Sequence, residues 1–120
     1  EIVDVLERLK EKKITTNIAS NTSFAGGEHL RTCLSHHNIS KYFKFEIFSD
    51  EIGYFKPNHS FFEAIYFRLQ YLDGKQILLK NVLHVGDNPY ADIKGASAFG
   101  FQTLLFTPET PNYNEILDYV

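Results

Sequence analysis

Ile2, Val5, Leu6 and Leu9 recur at the three-to-four spacing of one helix face. Asp4 and Glu7 come early and Lys10, Lys12 and Lys13 late, an order that complements the helix dipole. Ile14 to Ser20 (ITTNIAS) is β-branched and alternating, which predicts a strand ending at Ser20-Asn21. The polar, Gly-containing NTSFAGG reads as a loop. A helix is predicted from about Glu28 to His37, with Leu30, Cys33 and Leu34 inward and Asn38 as a left-handed stop. Phe45 to Phe48 predicts a short strand, and SDEIGYFKPN a loop. Asn58 caps a helix whose Phe61, Phe62, Ile65, Leu69 and Leu72 mark one face, and the Phe and Tyr stripe from 61 to 72 is read as core. Asp73-Gly74 ends that helix. Val82 to Val85 is a short apolar run, a buried strand broken by Gly86. A helix then runs from about Asp92 to Phe99, Gly100 closes it, and Phe101 to Phe106 is another strand. Pro108 and Pro111 break the chain before a terminal helical turn, Asn114 to Tyr119.

Strands that alternate with helices predict an α/β fold with a parallel sheet, here one domain over residues 1–120. Such sheets bind ligands at the carboxyl ends of their strands. Three polar groups fall there: Ser20-Asn21, the loop carrying Lys56, and Asp87 with Asp92. Two carboxylates brought to one crevice repel each other without a cation. All-oxygen ligation by one or two acids suits Mg²⁺, which keeps several waters and a substrate phosphate. Ser20, Asn21 and Lys56 form the candidate phosphate-binding set, and Asp87 and Asp92 the candidate metal pair. A serine hydroxyl donates to phosphate oxygens, and an ammonium offsets charge on the phosphate and on a reacting carboxylate. Asn21 and Asn88 also suit loop turns.

Bulk properties narrow the partners. The net charge of −3 offers no basic field for nucleic acid. No apolar run approaches the ~20 residues of a membrane span, and no signal peptide opens the sequence. With 11 Phe and 7 Tyr, the core should be Phe-rich. The single Cys33 cannot form an internal disulfide, which points to a reducing, cytoplasmic setting. There is no Met, and the sequence begins at Glu1 already inside a helical pattern, so a piece of a longer protein is expected. His29, Cys33 and His37 fall at i, i+4, i+8 of one predicted helix, but a fourth ligand is lacking. His84 alternates with Leu83 and Val85, as a satisfied core histidine does.

These residues, in this order, resemble the haloacid dehalogenase superfamily. IASN looks like its second motif with Ser20, GYFKPN like its third with Lys56 before Pro57, and GDNPYADIKGA like its fourth, G-D-x-x-x-x-D, with Asp87 and Asp92. The resemblance implies a Rossmann-like core that lacks its first, central strand and its cap. It implies a Mg²⁺-dependent phosphatase of a small phosphorylated metabolite. Ser20 and Lys56 would bind phosphate and assist catalysis, Asp87 would ligate Mg²⁺, and Asp92 would ligate it or orient its water.

One departure is serious. The family's first motif, D-x-D, supplies the nucleophile and a general acid/base, and no D-x-D occurs in these 120 residues. An aspartyl-phosphate route needs that carboxylate. The 120-residue chain alone is therefore expected to be inactive and to bind Mg²⁺ weakly or not at all. The two strands that would flank the missing one should either pair directly or take a strand from another chain, by homodimerisation or strand swap. The alternative class is a non-catalytic metal- or phosphate-binding module, or one half of a split protein completed by a partner. A receiver-like signalling domain ranks last, because Lys56 precedes Asp87 here. The retained lysine and acid pair favour phosphoryl chemistry over dehalogenation.

Overall fold

A computed structural model describes residues 2–22, 26–74 and 76–120. It divides into two compact units, residues 1–53 with 113–120, and residues 54–112. In the first, α1 (Ile2–Glu11) buries Val5, Leu6 and Leu9, the stripe its spacing predicts. β1 (Thr16–Ser20) pairs in parallel with β2 (Phe43–Phe48), placing Ser20 opposite Phe48. α2 (Gly26–His36) lies between them in sequence. Both helices stop in the same way. Lys13 and Asn38 take positive φ, and Ile14 and Ile39 donate back to the carbonyls of Leu9 and Leu34. That pattern closes the last turn of each helix with a left-handed residue. The expected stop at Asn38 is borne out. The equivalent stop at Lys13 explains why β1 begins at Thr16 rather than Ile14.

The stretch read as a loop after β2 begins differently. Ser49–Ile52 forms one helical turn, α3, closed by Gly53 at φ 82°. The second unit then opens with Tyr54 and Phe55. Its long helix α4 (His59–Asp73) is capped by the Asn58 side chain, which accepts from the Ser60 N–H at 2.8 Å. Gly74 ends it in the left-handed region, as expected. Phe61, Phe62, Ile65 and Leu69 are buried, but Phe67 and Tyr71 are 71% and 76% exposed. At 3.6 residues per turn those two lie about 140–180° round from Phe62. The helix carries more aromatics than one face can bury, so the stripe is core only in part. Leu72 shares the buried side but is 40% exposed, two residues before the helix stops.

β3 (Leu83–Gly86) pairs in parallel with β4 (Gln102–Leu105). Between them the chain winds through π-helical turns at Pro89–Lys94 into α5 (Gly95–Phe99), closed by Gly100 at φ 117°. The expected helix from Asp92 to Phe99 therefore starts three residues earlier, and its first turns are wider than an α-helix. Phe62 is the hub of this unit's core. Its ring sits 5.7 Å from Phe61, 5.4 Å from His84, 6.4 Å from Phe99 and 6.2 Å from Phe101. Gly95 is required there. A Cβ on it would come within 2.7 Å of Pro57 Cβ and 2.8 Å of Phe62 Cε2.

The fold is thus α/β with parallel ladders and flanking helices, as the alternation predicts. Each sheet among the described residues has two strands. β1 lies in the first unit and β3 in the second. The NTSFAGG loop falls partly outside the described residues, at 23–25. The terminal turn is 3₁₀, over Tyr113–Tyr119. Among the described residues, no helix is long and apolar enough to cross a membrane.

Candidate active-site cluster at the end of β3

Local sequence builds this cluster in four steps. β3 delivers His84 inward and ends at Gly86, where Asp87 emerges exposed. Asn88 then caps the next turns, its Oδ1 accepting from the N–H groups of Tyr90 and Ala91, each at 2.9 Å. Pro89 at the first helical position fixes φ and has no N–H to leave unsatisfied. The π-helical turns rotate Asp92 back beneath β3, where it is only 4% exposed. Short π segments of this kind recur at functional sites. Gly86 makes the return possible, since a Cβ there would lie 2.2 Å from Asp92 Cγ.

Asp92 gathers donors from three directions. Its Oδ1 accepts from Lys56 Nζ at 2.5 Å and faces His84 Nε2 at 3.0 Å. Its Oδ2 accepts the Asn88 backbone N–H at 3.1 Å. Burial alone would push this carboxyl up. The hydrogen bonds from His84, Lys56 and Asn88 outweigh it and hold the group well below the usual carboxylate range. An ionised carboxylate only accepts, so His84 must carry its proton on Nε2. The Lys56–Asp92 pair is buried on both sides, with side-chain exposures of 10% and 6%.

The expected repulsion between the two acids changes accordingly. Lys56 already supplies a cation to Asp92, so the second acid is balanced by protein rather than by metal. Asp87 is the carboxylate left exposed at the strand end. For a hard divalent cation the donor set fits in kind, with carboxylate oxygens at a strand end and Asp87 exposed to solvent. Asp87 is the direct ligand on offer. Asp92 has one oxygen committed to two donors and the other to the loop that carries Asp87, which suits it to orienting that loop. Among the described residues, no three His, Cys, Asp or Glu side chains gather as a metal-binding group.

The first unit has its own strand-end network. Ser20 is half-buried at the end of β1, its hydroxyl donating to the Asn21 carbonyl at 3.3 Å, and Asn21 is exposed. Thr22 reaches β2's end. Its N–H donates to Ser49 Oγ at 2.8 Å, and its hydroxyl donates to Asp50 Oδ1 at 2.6 Å. Asp50 also accepts the Gly27 N–H at 3.1 Å, a carboxylate at the start of α2, where the helix dipole favours it. The Thr22 hydroxyl and that N–H hold its pKa below the ordinary value. Arg31 holds Glu46, Glu51 and Glu28 at 3.0, 2.6 and 2.8 Å.

Of the five candidate site residues, the structure brings Lys56 and Asp92 into direct contact and sets Asp87 on the same loop as Asp92's partner Asn88. Ser20 and Asn21 belong to the other unit. Three contributors are not apparent from the motifs. His84 is the buried, hydrogen-bonded histidine its alternation implies, but its partner is the site acid. Thr22 and Asp50 anchor the loop after Ser20. Asp50 lies two residues beyond the end of β2, and that place near a strand's carboxyl end is the signal that could have marked it.

Comparison with known proteins gives a consistent result. A family model for haloacid dehalogenase-like hydrolases matches residues 1–100. An uncharacterised hydrolase of Schizosaccharomyces pombe is 30% identical over 96 residues, 79% of this chain and 40% of that protein. A ribulose-1,5-bisphosphate 5-phosphatase of Halopiger xanaduensis is 31% identical over 109 residues, 88% of this chain and 40% of that protein. The chain thus spans 40% of the length of these curated relatives. Among solved structures, a haloacid dehalogenase-superfamily hydrolase from Ehrlichia chaffeensis superposes with a TM-score of 0.77 at 27% identity, covering 98% of this chain and 54% of that one. The magnesium-bound hydrolase YfnB of Bacillus subtilis gives 0.76 at 24% identity, over 94% of this chain and 46% of its own.

Proposed function

The chain belongs to the haloacid dehalogenase-like hydrolases, and from that footing we propose that it carries the phosphate-holding and part of the metal-holding machinery of a Mg²⁺-dependent phosphomonoester hydrolase. The observation that carries this reading is the buried Lys56–Asp92 pair beside the exposed Asp87 at the end of β3. Lys56 fixes an ammonium on Asp92, where it can offset the charge of a phosphate dianion. Ser20 adds a hydroxyl donor at the end of β1. Asp87 would hold Mg²⁺ directly, and Asp92 would set the geometry of the loop behind it. When bound, the cation supplies charge stabilisation to phosphoryl oxygens. The substrate class is a small phosphorylated metabolite, a reading supported by the 31% identity to a sugar-bisphosphate phosphatase.

The 120 residues contain no D-x-D, the motif whose carboxylate would form the phosphoryl-enzyme bond. The purified 120-residue chain is expected to show no Mg²⁺-dependent hydrolysis of p-nitrophenyl phosphate above a boiled control. Mg²⁺ should nevertheless shift the amide resonances of Asp87 and Asn88, weakly and reversibly with EDTA. Appreciable turnover would sink the inactivity, and unmoved Asp87 and Asn88 signals at saturating Mg²⁺ would sink the metal assignment.

A second reading is favoured by the topology. Among the described residues β1 and β3 each belong to a two-stranded ladder, and a strand at the edge of a sheet can accept a further strand. On this reading the chain is a binding module, or one half of a split protein, completed by homodimerisation, strand swap or a partner chain. Light scattering on the purified chain distinguishes the self-association case. A stable dimer supports it, and a monomer at all concentrations discards it.

A further inference from the structure

We propose that His84 is a positioning residue that acts through Asp92, fixing both the Lys56 ammonium and the loop that carries Asp87. The inference rests on the phosphate and metal assignment above but draws on contacts of its own. His84 is 9% exposed, in the middle of β3, and its ring meets Phe62 edge-on at 5.4 Å and 87°. That packing allows the imidazole little freedom. Its Nε2 lies 3.0 Å from the same Oδ1 that receives Lys56. The other oxygen of the carboxylate takes the Asn88 N–H at 3.1 Å.

The roles follow from stiffness. Lysine has a long, four-carbon stem, and its ion pair alone would let the carboxylate rotate with the ammonium. Histidine is held by a strand and by aromatic packing, so its N–H fixes where Oδ1 sits. With Oδ1 fixed, Oδ2 is fixed too, and with it the Asn88 amide next to Asp87. The relay runs His84 to Asp92, then to Lys56 on one branch and to Asn88 on the other. Outer partners of this kind change metal affinity by about 10–100-fold when removed from other sites.

The test uses the 120-residue chain and two probes, the Lys56 ammonium resonance by NMR and Mn²⁺-induced broadening of the Asp87 and Asn88 amides. His84→Phe keeps an aromatic ring against Phe62 but removes the donor, whereas His84→Gln keeps a donor. The Phe variant is expected to lose the exchange-protected Lys56 signal and to need about tenfold more Mn²⁺ for equal broadening. The Gln variant is expected to keep the Lys56 signal and most of the Mn²⁺ response. In an Asp92→Asn background, where the Lys56 signal is already lost, adding His84→Phe should change neither probe further. The proposal is overturned if the Phe variant keeps the Lys56 signal, or if Gln loses as much as Phe. It is also overturned if His84→Phe adds a further loss of Mn²⁺ response on top of Asp92→Asn. Should the parent chain show no Mn²⁺ broadening at all, the metal assignment fails by itself, and the Lys56 signal still decides the role of His84. If the Phe variant does not fold, the Gln variant decides instead: a retained Lys56 signal supports the role of His84, and a lost one overturns it.

Discussion

Phe62→Ala is expected to lower the stability of the chain by about 3–5 kcal/mol, the range for emptying a fully buried aromatic site. Phe62 has no exposed surface and contacts four other rings, from α4, β3, α5 and the residue just before β4. Its Cε2 also closes on Gly95, so the cavity would open where α5 packs onto α4. Those rings come from different elements and cannot all collapse inward together, which keeps the cost near the upper part of the range. For a chain of this size the loss corresponds to about 10–20 °C in Tm. The control lies on the same helix. Phe67→Ala removes a ring that is 71% exposed, and its effect should stay within about 0.5 kcal/mol. Urea unfolding followed by far-ultraviolet circular dichroism measures both. Equal losses at Phe62 and Phe67 would show that the burial of α4 is not as described.

The contrast between these two phenylalanines also marks how far the sequence could be read. Periodicity located α4 and its cap correctly, because Asn58 and Gly74 sit at its ends. It did not separate Phe62 from Phe67, since hydrophobicity alone cannot say which of two apolar faces a single-layer neighbour will cover. Strand identities were legible for the same reason that strand ends were blurred. Alternation marks the middle of β1, whereas the start at Thr16 depends on a left-handed Lys13, a residue type with no special preference for that conformation. The motif residues were legible as chemistry and not as contacts. Lys56 and Asp92 are 36 positions apart and meet at 2.5 Å, a distance set by the π-helical turns at Pro89–Lys94. Nothing in the spacing of GDNPYADIKGA announces those turns, beyond the cap at Asn88 and the proline after it. Repulsion between Asp87 and Asp92 is expected only while both charges go unanswered. The fold answers one of them with Lys56.

That answer sets up the largest electrostatic effect in the second unit. Lys56→Met is expected to destabilise the chain by about 3 kcal/mol near pH 7, the lower end for breaking a buried pair, because His84 and Asn88 still donate to the stranded carboxylate. The pH dependence differs between the two proteins. In the parent, the folded Asp92 carboxyl lies well below its unfolded value of about 3.9. Its contribution is therefore complete above that unfolded value and fades as the pH falls towards the lowered folded one. Without Lys56, its hydrogen bond and its charge no longer lower the carboxyl, and burial is opposed only by the hydrogen bonds from His84 and Asn88. The variant's folded Asp92 should then take up a proton more readily than the parent's folded Asp92 does, so the deficit shrinks as the pH is lowered to about 4.5. Pairing the change with Asp92→Asn removes the stranded charge and should recover most of the loss near pH 7, since exchanging both partners of a buried pair is often close to neutral. Urea titrations of the parent, the single variants and the double variant at the two pH values give the full cycle. A Lys56→Met deficit that is the same at both pH values, or that Asp92→Asn fails to relieve, would mean that the pair at the end of β3 is not the buried charge couple its 2.5 Å contact describes.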